Sequence, residues 1–216
     1  MELITQTVHL FYKGGPVMYL LVATSLFAVT VAVERFLYYR SVSAGAQVFQ
    51  LKLLPLLEKQ KFSEAIQLCE QLAPNALAFI TLSGLLAYQR GSQLESALES
   101  SAMLTASRLR ERLDDLSMVV TLAPLLGLLG TVIGMIQSFS VLNVQAGQPM
   151  AITGGVGEAL IATATGLSVA TLALILHSYF SRQVNRLITD IEQITALVIS
   201  HVLIKKTGRR ESHEIA

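Results

Sequence analysis

From Gly14 to Val33 the chain carries no charged side chain and is mostly Val, Leu, Ala and Phe. About 20 such residues cross the hydrocarbon core of a bilayer as a helix. Glu34, Arg35 and Arg40 close the stretch on its far side. Met1–Tyr12 contains Glu2 and no Lys or Arg, and no small-x-small cleavage site follows the apolar run, so the pattern predicts an uncleaved span and not a signal peptide. A second uncharged stretch runs from Leu116 to Ser181, with Glu158 its only formally charged residue. That is enough for two spans, and the turn formers Gly147 and Pro149 within Asn143–Pro149 mark the break between them. The predicted order is a first span at 14–35, a polar segment at 36–117, a second span at 118–142, a short loop at 143–154, a third span at 155–180 and a tail at 181–216.

The polar segments read as helices, which makes the chain all-α with long helices extending out of the membrane. Lys52–Gln71 is rich in helix formers, Ala73-Pro74-Asn75 interrupts it, and Gly91 is a second break. Ser92-Gln93-Leu94-Glu95 has the form of a capping box, from which a helix would run through Leu98, Leu104, Leu109 and Leu113 into the second span. On that helix Arg108, Glu111, Arg112 and Asp115 are spaced to pair with one another or to face anionic lipid heads. After the third span, Val184, Leu187, Ile188, Ile191, Ile194 and Val198 recur at helical spacing. Residues 1–13 place Leu3, Ile4, Thr7, Val8 and Phe11 on one helix face, as an amphipathic segment on the outer membrane surface would.

The distribution of charge orients the chain. Arg40, Lys52, Lys59, Lys61, Arg90, Arg108, Arg110 and Arg112 lie between spans one and two, and Arg182, Arg186, Lys205, Lys206, Arg209 and Arg210 follow span three. The N-terminal tail has only Lys13 and the loop between spans two and three has none. The positive-inside rule therefore puts 36–117 and the tail in the cytoplasm and the N-terminus outside. Composition agrees with a membrane protein: of 216 residues, 52% are hydrophobic and only 14% charged, and the mean hydropathy is +0.56. The lone Cys69 excludes an internal disulfide, and the few aromatics, with no Trp, give no base-stacking platform, so no nucleic-acid partner is expected.

The spans carry little chemistry of their own. Span two has Gly127, Thr131, Gly134 and Ser138 on one face, and span three has Ala159, Thr163, Gly166 and Ala170. Such stripes let helices approach closely; the threonine hydroxyls can also hydrate an ion or hold a partner's carboxyl group. Glu158, near the outer end of span three, has two readings: an interfacial carboxylate in contact with water, or a functional group deep enough in the span for its burial to be costly. His9, His177, His201 and His213 show no metal spacing, and there is no nucleophile elbow or Walker loop, so neither an enzyme nor a cofactor is expected.

Two motifs, Ala123-Pro124-Leu125-Leu126-Gly127-Leu128-Leu129-Gly130-Thr131 and Glu158-Ala159-Leu160-Ile161-Ala162-Thr163-Ala164-Thr165-Gly166-Leu167, resemble those of the MotA/TolQ/ExbB proton-channel family. Three spans with a large first cytoplasmic loop match its ExbB/TolQ branch. The resemblance implies a homo-oligomer, usually a pentamer, in the bacterial inner membrane. It implies an ExbD/TolR-like single-span partner inside the ring, with an aspartate in its membrane helix. Ion flow would then drive TonB-like or TolA-like components, in TonB-dependent transport or a related envelope process. By motif position, Thr131 and Thr163 correspond to the family's pore-facing threonines and Glu158 to its span-three glutamate. Glu158 and Thr163 are separated by about 140° around an ideal helix, whereas Thr165 shares the Glu158 face. Either the helix is distorted near its glycine-rich start, or the two residues face different neighbours. A scaffold subunit without ion flux and a small-molecule transporter are the alternative functions; only Pro124 hints at the broken mid-span helix a transporter uses.

Overall fold

The computed structural model describes residues 15–72, 75–144 and 149–214, with side chains over 15–72, 75–140 and 154–202. Among these residues there are seven helices and no strand: α1 (Val17–Ser43), α2 (Ala46–Glu58), α3 (Phe62–Gln71), α4 (Ala76–Gln89), α5 (Leu94–Arg110), α6 (Leu113–Val144) and α7 (Pro149–Glu214). Among the described residues three stretches are long and apolar enough to cross a membrane, within Val17–Glu58, Leu94–Ser140 and Gly154–Val202, as the charge-free runs predict. The amphipathic segment expected at 1–13 lies outside the described residues.

The contacts divide the chain into two units, one holding the spans (residues up to Glu34, and Arg112–Phe180) and one holding Arg35–Glu111 with the chain from Ser181 onward. In the membrane unit, Val17, Met18 and Leu21 of α1 pack with Ala123 of α6 and Ala170 of α7, against Leu126, Ile133 and Val169. Deeper in, Ala28, Val119 and Ala173 meet beside Val120 and Val169. Large apolar side chains point outward instead, among them Leu26, Phe27, Val29, Leu125, Leu129, Ile136, Leu172 and Ile175. A water-soluble fold would bury such groups; in lipid they cost nothing to expose.

The other unit is built like a soluble helical domain. Phe49, Leu53 and Leu57 recur every four residues on α2 and are buried. They join Ala65, Ile66 and Cys69 of α3, Leu77, Ile80 and Leu85 of α4, and Leu98 and Leu109 of α5. The periodic stripe after span three is also buried at Val184, Leu187, Ile191, Ile194 and Val198, with Ile188 half-buried. Cys69 is wholly enclosed, and burial, helped by Glu70, pushes its thiol up to about 12.

Several local expectations are corrected. Lys52–Gln71 is not one helix: α2 ends in a left-handed Gln60 (φ 57°), with the Lys61 amide donating back to Leu56 O at 2.9 Å. The Asn75 break is a cap, its Oδ1 accepting from the Leu77 amide at 2.8 Å and its Nδ2 donating to Ala44 O at 2.9 Å. The capping box at Ser92 does not form. The Ser92 amide closes the end of α4 by donating to Ala87 O at 2.9 Å, and Gln93 precedes α5 with no side-chain cap. Nor does α5 run unbroken into span two, since Glu111 and Arg112 form a turn. Arg112 pairs with Glu34 at 3.7 Å and not along its own helix.

Candidate ion-pathway site

The α6–α7 pair is held by backbone approach. A Cβ built on Gly166 would lie 2.6 Å from Ala123 O and 3.0 Å from the Gly127 Cα. One on Gly127 would lie 3.1 Å from the Thr163 Cα and 3.2 Å from Ala162 O. Toward the start of α7 the pattern repeats: a Cβ on Gly134 would meet Ala159 Cβ at 3.0 Å, and one on Gly155 would overlap Ser138 Oγ. The stripes predicted from spacing thus face each other, and glycine at 127 and 166 is what lets the two main chains touch.

Thr163 sits within this seam. Its hydroxyl donates across the helix pair to Gly127 O at 3.1 Å, with a longer contact to Ala159 O at 3.4 Å. Several other span hydroxyls bond within their own helices: Thr131 Oγ1 to Leu128 O (2.6 Å), Ser138 Oγ to Gly134 O (2.9 Å) and Thr165 Oγ1 to Ile161 O (2.8 Å). Thr24, Thr30, Thr121, Ser168 and Thr171 do the same. Each of these hydroxyls has its proton committed to a backbone carbonyl. What remains to offer a visitor is lone pairs, which accept a hydrogen bond or coordinate a cation.

Helix geometry separates the candidates into two groups. On α6, measured from Gly127, Gly130 lies about 60° to one side and Thr131 about 40° to the other. A Cβ on Gly130 would lie 2.5 Å from Ala162 Cβ of α7 and 3.8 Å from Val17 Cβ, so Gly130 faces the edge of the pair next to α1. On α7, measured from Gly166, Thr163 lies about 60° to one side while Glu158 and Thr165 lie about 80° and 100° to the other. Glu158 is likewise turned to α1: its Oε1 would be 2.7 Å from a Cβ on Gly15, whose φ of +70° already favours glycine. Thr131 and Thr163, both half-buried, therefore share the side of the α6–α7 pair away from α1. The helix is continuous from Pro149, so the spacing between Glu158 and Thr163 reflects two different neighbours and not a distortion.

The spacing of the stripes announced the close approach, but nothing in the sequence announced the contact between Gly15 and Glu158. That contact joins residues far apart in the chain and depends on how α1 leans. His177 is half-buried and Tyr19 exposed, near the ends of their spans.

Residues 69–193 match the MotA/TolQ/ExbB proton channel family. The chain is 36% identical over 181 residues to a Synechocystis protein named as a biopolymer transport protein ExbB-like 1, covering 80% of this chain and 70% of the relative. It is 30% identical over 187 residues to a protein of Methanothermobacter thermautotrophicus named as a biopolymer transport protein ExbB homolog, covering 86% of this chain and 67% of the relative. Over a shorter stretch of 85 residues it is 32% identical to the biopolymer transport protein ExbB of Salmonella typhimurium, covering 39% of this chain and 35% of that one. The family match spans most of the chain and includes both seam helices together with the threonines and the glutamate described above, and on that ground the chain belongs to the MotA/TolQ/ExbB proton channel family, in its ExbB branch.

Proposed function

We propose that the chain is the ring-forming subunit of a proton-motive-force-driven motor in the bacterial inner membrane. Copies of it, five by analogy with the family, enclose an ExbD/TolR-like single-span partner, and the complex drives a TonB-like or TolA-like component. Its N-terminus faces the periplasm and its tail the cytoplasm, as the distribution of Lys and Arg demands. It makes and breaks no covalent bond itself.

The observation that carries this reading is a pairing of absence and presence at mid-membrane. No side chain that titrates near neutral pH lies at the middle of a span, yet Thr131 and Thr163 place two hydroxyl oxygens on one side of the α6–α7 pair. The titrating acid must then come from the partner helix. Because both threonine protons are given to backbone carbonyls, the oxygens accept and do not donate. They favour the protonated carboxyl group of the partner, or water, over the carboxylate. A charge crossing 100 mV releases about 2.3 kcal/mol, which shifts a two-state equilibrium roughly fiftyfold and is enough to rectify a rotation or tilt. Glu158 is turned toward Gly15, on the other side of the α6–α7 pair from these threonines.

The test is proton flux into vesicles holding the chain and its partner. Replacing both Thr131 and Thr163 by Val lowers flux by about tenfold, the upper end of what a net hydrogen bond supplies. Unchanged flux at normal complex levels overturns the threonine roles, and no flux from the unmodified complex favours a scaffold.

A further inference from the structure

The seam face of span three has one basic member. From Ala159 the seam positions of α7 fall alternately four and three residues apart, at Thr163, Gly166, Ala170, Ala173, His177 and Phe180, so they share one face of the helix. Ala159, Gly166, Ala170, Ala173 and Phe180 are buried. Thr163 and His177, the members with hydrogen-bonding side chains, are only half-buried. Measured from Gly166, His177 lies about 20° toward the Thr163 side and about 100° from Glu158. Along the axis it stands about 21 Å from Thr163, toward Arg182. Between Glu158 and Arg182 the sequence of α7 holds no other basic side chain.

Neither ring nitrogen of His177 has a hydrogen-bond partner among the described residues. His201, farther along the same helix, shows the contrast: its Nδ1 lies 2.8 Å from Leu197 O, one turn back, and 3.2 Å from Ser200 Oγ. Thr131 and Thr163 likewise have their protons committed to carbonyls. An uncommitted imidazole keeps one nitrogen that accepts a proton and one that donates. A threonine bonded in this way offers lone pairs alone.

We infer that His177 is the proton station at the Arg182 end of the side that holds Thr131 and Thr163, which the proposed orientation makes the cytoplasmic end. The inference rests on the motor reading of the chain and deepens it. A proton that has left the partner's carboxyl group travels on water. It bonds to the free ring nitrogen as an O–H bond of the hydrated proton breaks. The imidazolium then gives the proton on its other nitrogen to water on the cytoplasmic side, and a ring flip or tautomer change restores the start. Water covers the distance, so Thr163 and His177 need not touch. The chain thus lacks an acid at mid-membrane and carries a base where the proton leaves.

Proton flux into vesicles holding the chain and its ExbD/TolR-like partner tests it. His177→Gln keeps hydrogen-bonding groups of similar reach without a basic nitrogen, and it lowers flux by about a hundredfold, the lower end of what a positioned acid–base group supplies. His177→Ala lowers flux equally. Imidazole in the buffer restores it, whereas pyrrole, the same ring without a basic nitrogen, does not; neither alters flux through the unmodified complex. A packing role predicts rescue by both rings or by neither. Flux that survives in His177→Gln at normal complex levels, or a loss in His177→Ala that imidazole fails to restore, overturns this inference alone. No flux from the unmodified complex overturns the motor reading and the inference with it. Where neither variant assembles, magnetic resonance of isotope-labelled ring nitrogens in the unmodified complex decides. Exchange between the two tautomers is expected, and a single fixed tautomer overturns the assignment.

Discussion

The two units of this chain solve the same problem, helix packing, by opposite means. Around Leu98, Phe49 and Ile80, helices are held apart by large side chains that fill the space between them. Between α6 and α7 the side chains are almost absent, and main chain lies on main chain at Gly127 and Gly166. Solvent accounts for the difference. In water, burying a Leu removes apolar surface from a hostile medium, by about 25 cal/mol for each Å². In hydrocarbon a Leu gains nothing by turning inward, so cohesion comes from close contact and the occasional interhelical hydrogen bond. Thr163 supplies that bond.

The contrast yields graded expectations. The largest effect belongs to deletion in the unit outside the spans: Leu98→Ala, at a site with no exposure, costs about 3 kcal/mol, read as a lowered thermal midpoint in detergent. A comparable Leu→Ala change on the lipid face, at Leu125, leaves that midpoint in place. Next comes insertion. Gly166→Ala drives a methyl into Ala123 O and the Gly127 Cα, which are backbone and cannot turn aside, at a cost of about 2 kcal/mol. Gly84→Ala also meets a neighbour, the Cδ2 and Cγ of the buried Leu98, a side chain that can shift where backbone cannot, so it costs less. Equal losses from the two glycine changes would mean that a side chain in the way costs as much as backbone. The smallest pair compares polar ties. Asn75→Ala forfeits a cap and the bond to Ala44 O for about 1 kcal/mol, whereas Thr163→Val loosens the α6–α7 seam by about 0.6 kcal/mol, measurable by reversible unfolding in mixed micelles.

What could be read in the sequence follows the same division. The spans were legible because hydrocarbon imposes a simple rule, some 20 residues without charge. The stripes at Gly127, Gly134, Ala159 and Gly166 were legible because helical period alone sets which residues share a face. Hydrogen bonds between distant parts of the chain were not. Ser92 and Glu95 fit a capping box, but the Ser92 amide is used to close the preceding helix, and a local motif does not reveal that competition. Arg112 was spaced to pair along its own helix and pairs instead with Glu34. Arg35 marked the far end of the first span, and nothing near it in sequence shows that it is buried against the carbonyl of Arg108. Thr163 could be singled out, but not the carbonyl to which its proton is committed, and that commitment decides whether it donates or accepts.

The enclosed thiol of Cys69 has a practical corollary. It is the chain's one cysteine, and a group that titrates near 12 presents almost no thiolate to an alkylating reagent at pH 7.5. A cysteine introduced on the lipid-facing side of α6, or beside the break at Glu111, would therefore take up a spin label or fluorophore alone. Distances and mobilities could be followed in the working complex without first engineering the native residue away.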